Sequence, residues 1–585
     1  MSKTGSGESS PRAGGKSADT AAADRHVHSY AMRETVESIV IAVLLAFLFR
    51  TFVGEAFVIP TGSMAPTLQG NHKDVTCEKC GYGYQANASV ENDDHWNQDT
   101  VVATTCPLCR YTMALDWKKD RNQESFSGDR ILVSKFSYDL HDPSRWDVIV
   151  FKYPNNAKQN YIKRLVGLPG ETIRVYHGDV YVKGTSDETF RITRKPPAKL
   201  AAMLQVVDDN HYIPDQLATA GWPSRWQPGQ GDGQAGWRTM ADDREPLRLQ
   251  PAGEAEAWYR YRHIPPLGGD WQDVDQGRKV EPPQAGPTGG HLITDFYAYN
   301  AYTTMGAVRN RPDPDDLLPH TRTMGAHWVG DLALEAEVDV EGEQGELILE
   351  LVEGGDHYQC RINVATGEAQ MQVVDGRRPF VDAQGQPVTQ APHATTSVRG
   401  RGHYRLRFSN VDDELRLWVN GNVVSFEGPT TYQSPEDRRP EWSPQNLGDL
   451  APAGVGTRGL SAQVTHLRVL RDVYYIAIRM HLNTDNDYQQ YMNDDDIQEI
   501  LADPQQWATT TLFPSRRMIE IELGADQFFP MGDNSPQSKD GRLWGEPPYV
   551  ERELLTGKAV LVYWPHSWNR PIPFTPNLGR MRLIR

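Results

Sequence analysis

The sequence predicts a mainly β protein of several domains, and three observations carry that reading. The chain has 585 residues, more than one hydrophobic core serves. Its 50 Gly and 40 Pro punctuate it throughout. Between them lie runs that alternate apolar with polar residues, or are rich in β-branched and aromatic ones, as strands are. With 38% hydrophobic residues, 15 Trp and 24 Tyr, the chain can fill cores and is not disordered overall. A formal charge of −17 excludes general nucleic-acid binding, which needs basic surface to displace counterions.

Residues 1–33 are rich in Ser, Gly and Ala and read as a disordered tail. Residues 34–53 read as a transmembrane helix. Its uninterrupted apolar run, Ile39 to Phe49, is only 11 residues, short of the roughly 20 a bilayer needs. Ser38 and Arg50-Thr-Phe-Val53 extend it if Arg50 snorkels to the interface. Lys3, Arg12, Lys16, Arg25 and Arg33 precede it, and no Lys or Arg lies between Thr51 and His72. The tail therefore faces the cytoplasm and the rest lies outside, in an inner-membrane protein with one span.

Residues 54–70 hold a short strand, Phe57-Val-Ile-Pro60, running into a serine loop. A polar, cysteine-bearing insertion follows over 71–127. Over 128–184, Gly128 to Phe136, Trp146 to Lys152 and Asn160 to Val166 are strand candidates, and Val175-Tyr-His-Gly-Asp-Val-Tyr-Val182 carries a hairpin turn. Residues 185–285 turn to Pro, Gly, Gln and Trp and read as insertion and linker, with one short helix at Ala198 to Val207. From 286 to 475, Leu332 to Val340, Glu346 to Val352, Tyr404 to Phe408 and Leu415 to Val424 alternate as sandwich strands do. An acidic helical connector spans 476–515, around Asp494 to Ala502. Residues 516–585 return to strands at Met518 to Leu523 and Ala559 to Trp564.

Ser63, in Pro60-Thr-Gly-Ser-Met-Ala-Pro-Thr-Leu68, and Lys163, in Tyr161-Ile-Lys-Arg-Leu-Val-Gly-Leu-Pro-Gly170, are the chemically pointed pair. A serine nucleophile needs a base beside it, and a lysine serves if burial keeps it neutral. Its pKa must then fall from about 10.4 towards 7 or 8. Apolar Tyr161, Ile162, Leu165 and Val166 provide the desolvation, and Gly62 lets the backbone approach a substrate carbonyl. No Gly-x-Ser-x-Gly elbow is present, which weakens a Ser-His-Asp reading.

Four ordered blocks resemble those of bacterial type I signal peptidases, the Ser-Lys membrane endopeptidases. They are Arg50-Thr-Phe leading to Ile59 through Leu68, Gly128-Asp-Arg-Ile-Leu-Val133, Tyr161 through Glu171, and Gly532-Asp-Asn-Ser-Pro-Gln-Ser-Lys-Asp-Gly-Arg542 before Leu-Trp-Gly545. They cover about a quarter of the chain. The resemblance implies a signal-peptidase-like β catalytic core lying against the membrane. It implies Ser63 as nucleophile and Lys163 as general base. Thr61 stands where the family usually has a serine that helps the Ser63 amide hold the oxyanion. Ser538 matches a serine that orients the lysine ammonium, Asp540 and Arg542 a salt-bridged pair, and Met64 with Ile59 the hydrophobic residues of the substrate pocket. Catalysis then needs no cofactor. The implied substrates are secretory preproteins cut after a small residue, with membrane lipid and the export translocon as partners and no nucleic acid. The competing reading is a catalytically degenerate membrane scaffold that binds zinc and carbohydrate.

Cys77-Glu-Lys-Cys80 and Cys106-Pro-Leu-Cys109 form two CxxC knuckles 25 residues apart. Four thiolates in that pattern suit structural zinc, as in zinc ribbons, while the extracytoplasmic side favours two disulfides. His72 and His95 read as surface residues, and Cys360 as a buried free thiol. The run Tyr404 to Val424, with His466 to Tyr475, resembles a concanavalin-like (laminin-G-like) jelly roll inserted at 286–475. No catalytic carboxylate pair stands out in it.

Overall fold

The computed structural model describes residues 5, 18–48, 50, 54–92, 100–116, 118–229, 238–251, 253–278, 280, 289–303, 324–479, 486–488, 492, 494–568, 572 and 574–585. The fold is mainly β. The segments that carry the four blocks meet in one antiparallel sheet. Its strands run in the order Gly54–Val58, Arg130–Ser134, Leu555–Trp564, Val148–Tyr153, Asn156–Gly167, Gln527–Met531 and Val550–Glu551, with Arg582–Leu583 added on Leu555–Trp564. The β-branched run Val148-Ile-Val-Phe151 is buried on both faces, which makes it a central strand. A smaller sheet orders Arg191–Ile192, Asp179–Gly184, Glu171–Tyr176 and Ile519–Glu522. The expected hairpin turns at His177 and Gly178, both with positive φ, as a two-residue hairpin turn requires.

Two seven-stranded antiparallel sheets form the sandwich. Leu334, Ala336 and Val338 of Leu332–Val340 meet Leu347, Leu349 and Leu351 of Glu346–Glu353 in one core, with Cys360 inside it. Alternation along these strands sets one face inward, as the sequence pattern implies. Residues 185–285, expected as insertion and linker, build part of this sandwich. Gln205–Asp209 and Leu247–Leu249 pair with Ala462–Arg471, and Glu256–Tyr261 bridges Trp226–Pro228 to Ala453–Arg458. The expected helix there spans Pro197–Met203, and residue 205 already starts a strand. The acidic helix is Asp494–Ala502, which buries Ile497 and Leu501 against Trp507 and Phe513.

A helix runs Ala18–Leu48, beginning inside the stretch expected as a disordered tail. Among the described residues no helix is long and apolar enough to cross a membrane. The apolar run is short and is preceded by Glu34 and Glu37. Residues 49 and 51–53 of the expected span lie outside the described residues.

Candidate active site and cysteine centre

Strand Gly54–Val58 pairs with Arg130–Ser134, and the chain then closes a tight loop bearing Ser63. Gly62–Met64 is one 3₁₀ turn, held by Ala65 N–H on the Gly62 carbonyl (3.0 Å) and Leu68 N–H on that of Met64 (2.8 Å). The buried Asp129 carboxylate, from the second block, accepts from Gln69 N–H at 2.9 Å and from Arg580 at 2.8 Å. Ile59 and Met64 lie in the core with Leu68, Ile131 and Val148, beneath the loop rather than at its surface. Gly62 approaches protein rather than open space, since a Cβ there would fall 2.3 Å from the Tyr299 ring.

Lys163 stands on Asn156–Gly167 opposite Ile149 and is 3% exposed. Its Nζ donates to Ser63 Oγ at 2.6 Å and to the Ile162 carbonyl at 3.1 Å. Burial lowers the Lys163 pKa to about 8, against the opposing pull of Asp540 and Asp533. Leu165 and Val166 are fully buried beside it, as the sequence implies.

The last block completes the surroundings. Asn534 donates from its backbone to the Ser63 carbonyl (3.1 Å) and from its side chain to that of Gly62 (3.0 Å). Asp540 and Arg542 pair at 2.8 Å, both fully buried, and Asp540 also accepts the Gly532 N–H at 2.9 Å. Burial alone would raise the Asp540 carboxyl, but the Arg542 guanidinium brings it below its ordinary value. Ser538 is buried beside Gly532, where a Cβ on the glycine would lie 2.2 Å from Ser538 Oγ and 2.4 Å from the Ser63 carbonyl oxygen. The Ser538 hydroxyl is buried and has no hydrogen-bond partner, Lys163 included. Thr61 is exposed at the mouth of the loop, and its side chain caps nothing.

The sequence reading assigned no role to Asp129, Arg164, Asp533 or Asn534. Each lies inside a quoted block, so the signal was present, but its partner lies far along the chain.

The two CxxC knuckles fold alike. Gly81 N–H bonds the Cys77 carbonyl at 2.8 Å and Arg110 N–H that of Cys106 at 3.0 Å, with positive φ at Gly81 and Arg110. All four Sγ lie within 4.8 Å of one another, with Cys77–Cys109 at 3.5 Å and Cys80–Cys106 at 3.7 Å. A tetrahedral Zn–S bond of about 2.3 Å sets sulfurs roughly 3.8 Å apart, whereas a disulfide needs about 2.05 Å. The geometry fits a metal, and all five cysteines are free thiols. Cys360 is buried, and burial pushes its thiol up. His72, expected at the surface, is fully buried, because its strand packs under Phe126 and His566. His95 lies outside the described residues.

The signal peptidase, peptidase S26, family model matches residues 32–107, 118–217 and 470–564, the segments that carry all four blocks. A probable signal peptidase I-2 of Synechocystis sp. is 30% identical over 186 residues, 31% of this chain and 58% of that protein. A signal peptidase I of Leptolyngbya laminosa is 29% identical, covering 28% of this chain and 57% of that one. A signal peptidase I of Pseudomonas aeruginosa is 49% identical over 59 residues, 8% of this chain and 21% of that one. The chain thus spans little more than half the length of the longer-matching of these relatives. A carbohydrate-binding module from Bacillus subtilis overlaps 23% of the chain, 71% of its own length, at 9% identity and TM-score 0.16, too low to carry an argument. Through the three matched segments, the chain is similar to the signal peptidase, peptidase S26, family.

Proposed function

We propose that the chain is a signal peptidase I, a serine endopeptidase that removes N-terminal signal peptides from exported preproteins. The observation that carries this is the buried 2.6 Å contact between Lys163 Nζ and Ser63 Oγ. With its amine neutral, Lys163 takes the Ser63 hydroxyl proton along that contact, and Oγ attacks the scissile carbonyl. The Ser63 N–H and the Thr61 hydroxyl are assigned to the oxyanion, worth roughly 3 kcal/mol per donor. The ammonium that forms needs an acceptor, and the unbonded Ser538 hydroxyl is assigned to it. The protonated lysine returns its proton to the leaving amine, and water activated by the same amine then hydrolyses the acyl-enzyme. Small side chains are favoured at the first and third positions before the cut, with Met64 and Ile59 forming the floor beneath the loop.

The anchor is assigned to the segment 34–53, N-terminus cytoplasmic and catalytic domain outside. Its side chains support a lipid setting: Ile39, Val40, Ile41, Val43, Leu44, Leu45 and Phe47 are each at least half exposed. The cysteine centre is assigned structural zinc. The sandwich is read as a jelly roll serving as a structural module. Preproteins, lipid and the translocon are the proposed partners. The test is processing of a preprotein by the detergent-solubilised chain with and without Ser63→Ala. Equal cleavage by both would end the assignment.

A further inference from the structure

Outside the dyad and the cysteine centre lies a cluster that neither uses. His72, on strand His72–Thr76, is fully buried, and its Nδ1 is 2.7 Å from the Gly70 carbonyl oxygen. A carbonyl only accepts, so Nδ1 carries the proton and Nε2 presents a lone pair. That Nε2 is buried with no hydrogen-bond partner. It faces Asp74 Oδ1 at 3.7 Å, a lone pair opposed to a carboxylate. Asp74 Oδ2 lies 2.8 Å from Nε2 of His566, a residue 3% exposed. One ring nitrogen of each histidine and one carboxylate oxygen lie within 4.8 Å of one another.

Two imidazoles and a carboxylate are a borderline-soft donor set, of the kind that binds zinc with a fourth position for water. An imidazole Nδ1–H fixed on a backbone carbonyl, with Nε2 turned inward, is how metal-ligating histidines are commonly oriented. Trp568 Nε1 (2.6 Å) and Gln85 Nε2 (3.2 Å) donate to the Asp74 carboxylate and hold it in place. We propose that His72, Asp74 and His566 form a second metal site, taking one divalent transition-metal ion, zinc by its donor set. The site ties the strand that precedes the first cysteine knuckle to the segment after Leu555–Trp564. Through Gly70, whose backbone packs directly on Thr61, it also touches the nucleophile loop. It stands on its own geometry and does not depend on the peptidase reading.

The test is metal analysis of the full chain, purified in detergent from zinc-supplemented cells, beside His566→Ala and His72→Ala. The proposal expects two zinc equivalents in the parent and one in each variant, with the cysteine-bound ion retained. One equivalent in the parent, or two kept by both variants, overturns it. Should the variants fail to fold, cobalt titration of the metal-free parent decides. Two classes of site, one lacking sulfur-to-cobalt charge transfer, support the proposal, and a single thiolate-rich class overturns it.

Discussion

Arg164 and Asp533 form a two-pronged ion pair, Nε to Oδ1 and Nη2 to Oδ2, each at 2.6 Å, with both side chains fully buried and 369 residues apart in sequence. Each residue neighbours a member of the candidate site: Arg164 follows Lys163, and Asp533 precedes Asn534, which holds the Ser63 and Gly62 carbonyls. Removing one partner leaves a buried charge alone, at a cost of about 3–5 kcal/mol. Asp533→Ala is therefore expected to lower the denaturation midpoint and to cut processing. An unchanged midpoint in urea unfolding would contradict the pairing.

The lysine sets a pH dependence. Only the neutral amine accepts the Ser63 proton, so processing should rise with pH through an inflection near 8, where burial has brought Lys163. The sign for stability is the same. Between about 8 and the ordinary 10.5 the unfolded chain binds the extra proton, so folding stability gains with pH across that window. A shift of that size corresponds to roughly 3 kcal/mol. Lys163→Met should abolish processing and remove the stability dependence, as read in unfolding at pH 7 and 10. A rate profile flat from pH 6 to 9 in the parent would exclude a titrating lysine base.

Gly532 has no room for a side chain. Gly532→Ala drives a methyl into Ser538 Oγ and the Ser63 carbonyl. The nucleophile loop must move by a fraction of an ångström, and a misplacement of about 1 Å costs on the order of 100-fold in rate. The expected signature is a fall in kcat with the fold retained by circular dichroism. A kcat within threefold of the parent would mean that the loop is free to shift.

Denaturing the chain in chelator without reductant should yield five titratable thiols, matching the five free cysteines. Two disulfides would leave one. Cys109→Ser should release one zinc equivalent and lower stability by several kcal/mol, because metal affinity of this kind is folding free energy. Thermal unfolding with and without chelator measures it.

How legible the molecule is from its sequence follows the range of each interaction. Ser63, Lys163 and the CxxC knuckles announce themselves locally, by a turn, an apolar strand and a spacing. So do Leu332–Val340 and Glu346–Glu353, in which core-facing apolar residues recur at every second position, Leu332 to Val340 and Leu347 to Leu351. Trp226–Pro228 and Leu247–Leu249 are only three residues each and sit among Pro and Gly, so their pairing is visible only in space. His72 looks polar and exposed until His566 is brought beside it. Tyr299, which closes on Gly62 and donates to the Asn71 carbonyl at 3.0 Å, comes from an insertion with no sequence mark of its own.

The sandwich interrupts the sheet that holds the candidate site between Lys163 and Asn534, and this fixes an order of events during biosynthesis. The serine and its base leave the ribosome hundreds of residues before the segment that braces them. A nascent chain therefore carries Ser63 and Lys163 without Asn534, Asp540 and Arg542, and the pair can be braced only after the intervening sandwich has been made.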